Sequence, residues 1–186
     1  MRIDKTNYYL DIAQTVAERS TCLRRKFGAV IVKNDSIIST GYNGAPRGRK
    51  NCCDLGECLR EKYEIPSGER YELCRSVHAE ANAIIAASRE ETLGADLYLV
   101  CLDKEERLTP GTSSCSMCKR LIINAGIRSV FVRDSATSYR EVNVQHDWIE
   151  QDDSLDLHRG YCFSPFVKTQ TAPKIISKKD LTQNIF

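Results

Sequence analysis

The sequence lacks a dominant charge: 27 lysines and arginines face 25 aspartates and glutamates, for a net charge of +2 over 186 residues. A balance so near neutral gives no general attraction to a polyanion, so duplex nucleic acid is not expected as a ligand. The sequence also lacks any apolar run near the roughly 20 residues that span a bilayer. Its first residues, MRIDKTNYYLDIAQ, contain no apolar core and no small-residue cleavage site of a secretory leader. No internal repeat is visible. These absences leave a single soluble domain with a cytoplasmic address as the expectation, and 186 residues suffice for a sizeable core.

What is abundant is cysteine. Nine thiols in a reducing compartment point away from disulfides and towards metal. Six of them lie in or beside polar, turn-like sequence, where a cysteine used only for packing is less expected.

The pattern along the chain is that of an α/β protein. Tyr9, Ile12, Ala13, Val16 and Ala17 recur at helical spacing, predicting an amphipathic helix over about 5–19. GAVIVKNDSIISTGYNG reads as two strands around Asn34-Asp35, a β-hairpin. Residues 45–75 are polar and rich in Gly, Pro and Cys, an irregular insertion held by something other than a core. HAEANAIIAASRE is helical, ADLYLVC is a buried strand, and CSMCKRLIINAG is a helix stopped at Gly126. RSVFVR and REVNV complete the set of strands. The order α-β-β-α-β-α-β indicates a mixed sheet with helices on its faces.

Chemistry concentrates at two helix starts. Cys115 and Cys118 form a C-x-x-C just before a helical run, where free N–H groups and the helix dipole favour thiolates. Two thiolates at this spacing can share one zinc. A third protein ligand would leave the fourth position to water, the arrangement of a catalytic site. His78, opening the other helix in CRSVHAEANAII, is the candidate third ligand. Residues two apart on a helix point about 200° apart, so His78 and Glu80 serve one site only if the helix end itself faces it. Glu80 would then stand beside the metal's water without ligating the metal. Either motif alone is commonplace, but in this order the two match the zinc deaminase signature H-x-E…P-C-x-x-C in all but its proline.

With these residues in view, the chain resembles the deoxycytidylate (dCMP) deaminases of the cytidine deaminase-like superfamily. The resemblance covers roughly residues 5–135 and is carried by FGAVIV, STGYNGAP, NCCDLGECLREK, PSGERYELCRSVHAEANAII and SCSMCKRLIINAGI. It implies a three-layer α/β/α fold with a central mixed five-stranded sheet. A deaminase domain would occupy 1–165, with the cysteine-rich insertion at 45–75 and a tail or intersubunit arm at 166–186. The implied reaction is zinc-dependent hydrolysis of dCMP to dUMP and ammonia, supplying dUMP for thymidylate synthesis, with Glu80 carrying protons. One position departs from the family pattern: proline usually precedes the first zinc cysteine, and Ser114 stands there instead.

The resemblance assigns further roles. Asn43 matches an asparagine that contacts the nucleotide beyond the base, although beside Gly44 it also suits a tight turn. Arg89 matches a position that governs preference for the monophosphate. Eleven residues beyond His78, it would return to within about 20° of the same helix face. A cation near a helix C-terminus is the plainer reading. Cys22, Cys52, Cys58 and Cys74 would form a second, closed zinc site, with Cys53 an alternative to Cys52; Cys101 and Cys162 read as small hydrophobes. Family members are commonly hexamers, activated by dCTP with magnesium and inhibited by dTTP. Two rivals stand beside this reading: a deaminase of dCTP, cytidine or an RNA base on the same scaffold, and a non-catalytic zinc module.

Overall fold

The sheet grows from the hairpin. The computed structural model describes residues 2–66 and 68–151. β1 (Lys26–Lys33) and β2 (Ser36–Tyr42) pair antiparallel. Asn34 and Asp35 turn the chain with φ values of 49° and 64°, the left-handed conformations that a two-residue hairpin requires. On its other side β1 pairs antiparallel with β3 (Asp96–Leu102). β3 runs parallel to β4 (Ser129–Arg133), and β5 (Tyr139–Asn143) closes the edge antiparallel to β4. The order β2-β1-β3-β4-β5 is the mixed five-stranded sheet that the resemblance implied.

Alternation along the central strands divides the core into two layers. Val30, Val32, Tyr98, Val100 and Leu102 face α1 (Lys5–Glu18), where they meet Tyr9, Leu10, Ala13 and Ala17. Ala29, Ile31, Leu97 and Leu99 point the other way. They pack with Ala79 and Ala83 of one helix and Ile122 and Ala125 of another. The helix carrying Ile122 spans Ser116–Ala125 and ends, as expected, on Gly126 at φ 71°.

Two features differ from the sequence reading or refine it. The insertion contains α2 (Cys52–Leu55) and α3 (Leu59–Lys62), and of its described residues only Cys52, Arg60 and Ile65 are buried side chains. Arg60 serves there as an internal clamp. Its guanidinium donates to the carbonyls of Pro66, Glu69 and Arg70 and lies 4.7 Å from the centroid of the Tyr71 ring.

The expected helix over 78–90 is two helices, α4 (Ala79–Ile85) and α5 (Arg89–Thr92). Ser88 restarts the chain: its hydroxyl accepts from the Glu91 amide, and the Glu91 carboxylate accepts from the Ser88 amide. This capping box competes with helical continuation and wins. The helix Ser116–Ala125 is therefore α6. The 166–186 tail and Cys162 lie outside the described residues. Among the described residues, no helix is long and apolar enough to cross a membrane.

Candidate metal and catalytic site

Both helix starts point into one place. His78 is the N-cap of α4 with extended backbone, so its imidazole leaves from the helix end rather than from a side. Cys115 is the N-cap of α6, and its sulfur accepts from the Cys118 amide one turn on. His78 Nδ1 lies 3.4 Å from Cys115 Sγ and 3.3 Å from Cys118 Sγ. All three donor atoms fall within 4.8 Å of one another, the one such cluster among the described residues. Tetrahedral zinc with Zn–S of about 2.3 Å and Zn–N of about 2.0 Å sets N and S roughly 3.5 Å apart. The donor set and its spacing fit zinc.

The protonation of the three side chains fits as well. A hydrogen bond from Cys118, together with the His78 imidazole, pulls the Cys115 thiol down to about 4 against the opposing effect of burial. That bond and burial push Cys118 up. Cys115 first, then Cys74, raise His78 to about 10. The thiolate that a metal requires is thus favoured at Cys115, and a dication binds by displacing the remaining protons.

Glu80 is 3% exposed and stands beside the three donors without joining them. Burial raises its carboxyl; its own backbone amide, Ser114 and His78 partly offset this. The Ser114 hydroxyl is fully buried and has no hydrogen bond of standard geometry, yet it lies close enough to the carboxyl to favour the charged form. Tyr71 supports His78 from outside, ring edge to ring face, with centroids 5.1 Å apart. Burial pushes the Tyr71 phenol up and Cys115 adds to this, while Arg60 and Arg25 draw it back. The sequence reading did not single out Tyr71; an aromatic ring within the polar stretch 45–75 was the available signal.

These groups open on a cavity of about 650 Å³, in the size range of a small-molecule site. Asn43 lines it, but most of its amide is committed to the scaffold. Its Oδ1 accepts from Ser20 Oγ at 2.6 Å and from the Phe27 amide at 2.7 Å, and its Nδ2 donates to the Arg25 carbonyl at 3.0 Å. One amide hydrogen is left for a ligand.

Arg89 is not part of the cavity wall. Its helical spacing from His78 assumed one continuous helix, and the break after Ile85 removes that register, which leaves the family match as the ground for the phosphate role. Its Nη1 instead donates to the Ala125 carbonyl at 3.0 Å, holding the C-terminal end of α6.

The other four cysteines converge more loosely. Burial raises the Cys52 thiol, and the charges of Cys22, Cys58 and Cys74 raise it further. Cys53 is exposed and turned to Asp54. The spacing of the His78 cluster is not reached by these four. Cys74 lies close enough to His78 to help raise it, although it is not one of the three clustered donors.

Comparison with known proteins agrees with this geometry. The model of the cytidine and deoxycytidylate deaminase zinc-binding region matches residues 3–133. The deoxycytidylate deaminase of Mycobacterium phage D29 is 38% identical over 139 residues, covering 72% of this chain and 98% of the phage protein. That of Schizosaccharomyces pombe is 35% identical over 129 residues, 69% of this chain, but the chain spans only 37% of its length. Among solved structures, the dCMP deaminase of cyanophage S-TIM5 is similar with a TM-score of 0.51. It has 28% identity and covers 73% of this chain and 86% of its own; the cyanophage enzyme has also been solved in complex with dCMP and dUMP.

Proposed function

We infer, since this chain belongs to the cytidine and deoxycytidylate deaminase zinc-binding family, that it hydrolyses dCMP to dUMP and ammonia. The observation that carries the reading is a buried acid, Glu80, set against a His-Cys-Cys donor cluster with room for a nucleotide beside it. A purely structural metal site has no use for such an acid.

Zinc held by His78, Cys115 and Cys118 would supply a water acidified towards a pKa of about 7. The chain's own groups do the rest. Glu80 takes the proton that the attacking water gives up and delivers it to N3 of the cytosine ring, making C4 electrophilic. It then carries the water's second proton to the amino group on C4, which leaves as ammonia while C4 keeps the oxygen. Burial keeps Glu80 basic enough to accept and excludes competing solvent. Tyr71 holds the His78 ring in place, and the free amide hydrogen of Asn43 is available to the sugar.

The same reading assigns a closed second zinc to Cys22, Cys52, Cys58 and Cys74, supported by the mutual influence of their thiols and by the core-poor insertion that they would hold. Residues 1–165 would be the deaminase domain and 166–186 a tail or an intersubunit arm, in a hexamer of the cytoplasm regulated by magnesium-bound dCTP and by dTTP; this part rests on the family resemblance alone. The test is deamination of dCMP, dCTP and deoxycytidine by the zinc-loaded protein, followed by ultraviolet absorbance. A preference for dCMP supports the reading; a preference for dCTP or the nucleoside, or no ammonia from any, overturns it.

A further inference from the structure

A nucleotide monophosphate brings about two negative charges into the cavity, and a cation on its wall that nothing else neutralises is the group best suited to meet them. Four cationic side chains line the cavity, Arg24, Arg25, Arg60 and Lys119, against one carboxylate, Glu80. Their existing partners separate them. Arg60 is buried and spends its guanidinium on three loop carbonyls. Arg24 has its Nε 3.6 Å from a Glu61 carboxylate oxygen. Lys119 stands 5.2 Å from the centre of the Trp148 ring and has no carboxylate partner among the described residues. Arg25 has neither a carboxylate nor a side-chain hydrogen bond among the described residues.

The mount of Arg25 is as informative as its freedom. It directly precedes β1, and its carbonyl accepts from Asn43 Nδ2 while the Asn43 Oδ1 takes the Phe27 amide. A buried amide thus pins the backbone on both sides of Lys26 and leaves the Arg25 side chain free at the cavity wall. A rigid base with a free planar guanidinium suits a phosphate, which it can grip through two parallel N–H groups.

We propose that Arg25, assisted by Lys119, is the residue that selects the 5′-phosphate of the substrate, in the role that the family resemblance gave to Arg89. The proposal rests on the reading of the site as a nucleotide deaminase and adds which groups tell nucleotide from nucleoside. It also gives Asn43 a second use, as the support of the phosphate anchor.

The experiment pairs turnover with binding for the full-length zinc-loaded protein, R25Q, R25K, R89Q and the surface control K104Q. Turnover compares kcat/KM on dCMP and on deoxycytidine; calorimetry compares binding of dUMP and of deoxyuridine. R25Q is expected to lose about 10- to 100-fold on dCMP, the range of a hydrogen bond to a charged group, while deoxycytidine turnover holds. R25K recovers part of the loss, and K104Q behaves as wild type. The dUMP advantage over deoxyuridine should fall in parallel. Wild type that turns over no cytosine compound, yet binds dUMP above deoxyuridine through Arg25, would sink the deaminase reading and keep the anchor. An unchanged dCMP-to-deoxycytidine ratio in R25Q, loss confined to R89Q, or no dUMP advantage in wild type overturns the anchor.

Discussion

Gly41 of β2 lies so close beneath α4 that a Cβ built on it would stand 2.3 Å from the Ala79 carbonyl oxygen and 2.4 Å from the Ala83 amide nitrogen. No side chain fits in that space. The contact sets how deeply α4 sits on the sheet, and with it where His78 and Glu80 are presented.

Gly41→Ala must therefore lift α4. Overpacking of this kind costs about 1–3 kcal/mol, and in a chain of this size each kcal/mol lowers Tm by about 2–4 °C. The displaced helix start should also lower kcat at least tenfold. A melting curve and one rate measurement suffice, and an unaltered Tm would contradict the packing argument.

Glu80→Gln keeps the shape of the side chain and removes its capacity to carry a proton. General acid–base catalysis contributes about 10²- to 10⁴-fold, so kcat should fall at least that far. Zinc content should not change, because Glu80 is outside the donor cluster. Substantial residual activity, or metal lost with it, would count against the assigned role.

Two neighbouring thiols face opposite ways, Cys52 inward and Cys53 to solvent. Elemental analysis of the wild type is expected to give two zinc ions per chain. Cys52→Ser should leave one and lower Tm, whereas Cys53→Ser should leave both. Equal metal loss in the two variants would refute the ligand choice.

Ser114 buries a hydroxyl that lacks a standard hydrogen bond, a state that costs about 1–3 kcal/mol. Ser114→Ala is accordingly expected to hold or raise Tm. Catalytic hydrogen bonds often tighten only with substrate present, and loss of one to Glu80 would lower kcat about 2- to 10-fold. A drop in Tm with unchanged kcat would reverse both inferences.

Tyr9 gives an alkaline prediction. Burial first, then its hydrogen bond to Asp35, raises the phenol from 10.0 to about 12. The folded state thus favours the protonated phenol. Its contribution is complete below pH 10 and is lost as pH rises through about 12. Melting temperatures taken from pH 8 to 11.5 should fall less steeply for Tyr9→Phe than for wild type; parallel curves would exclude Tyr9 as a source of the loss.

What could be read from the sequence was local. Asn34-Asp35, Gly126 and the motifs at His78 and Cys115 each act within a few residues of where they stand, so pattern alone located them. The break before α5 was also written locally, as Ser88 and Glu91, but Ala86 and Ala87 continue the helical pattern and masked it. Arg60 and Tyr71 lie beyond such reading, and of Arg25 the sequence shows only the run Arg24-Arg25-Lys26, a solvated charge run with a phosphate contact as its alternative. Arg60 is buried by loop carbonyls that no periodicity reveals, and the other two acquire meaning only when the insertion and the start of β1 fold against the same cavity. The spacing of Arg89 from His78 failed for the converse reason, since counting turns assumes a helix that does not stop.

Every side chain assigned to bond rearrangement occupies the first turn of its helix or the cap before it: His78 and Glu80 on α4, Cys115 and Cys118 on α6. The far ends of both helices are thereby free of chemical duty. A change there, of the kind that the break between Ile85 and Arg89 represents, leaves the donor atoms in place. Diversification on this scaffold has its widest latitude at the distal ends of α4 and α6.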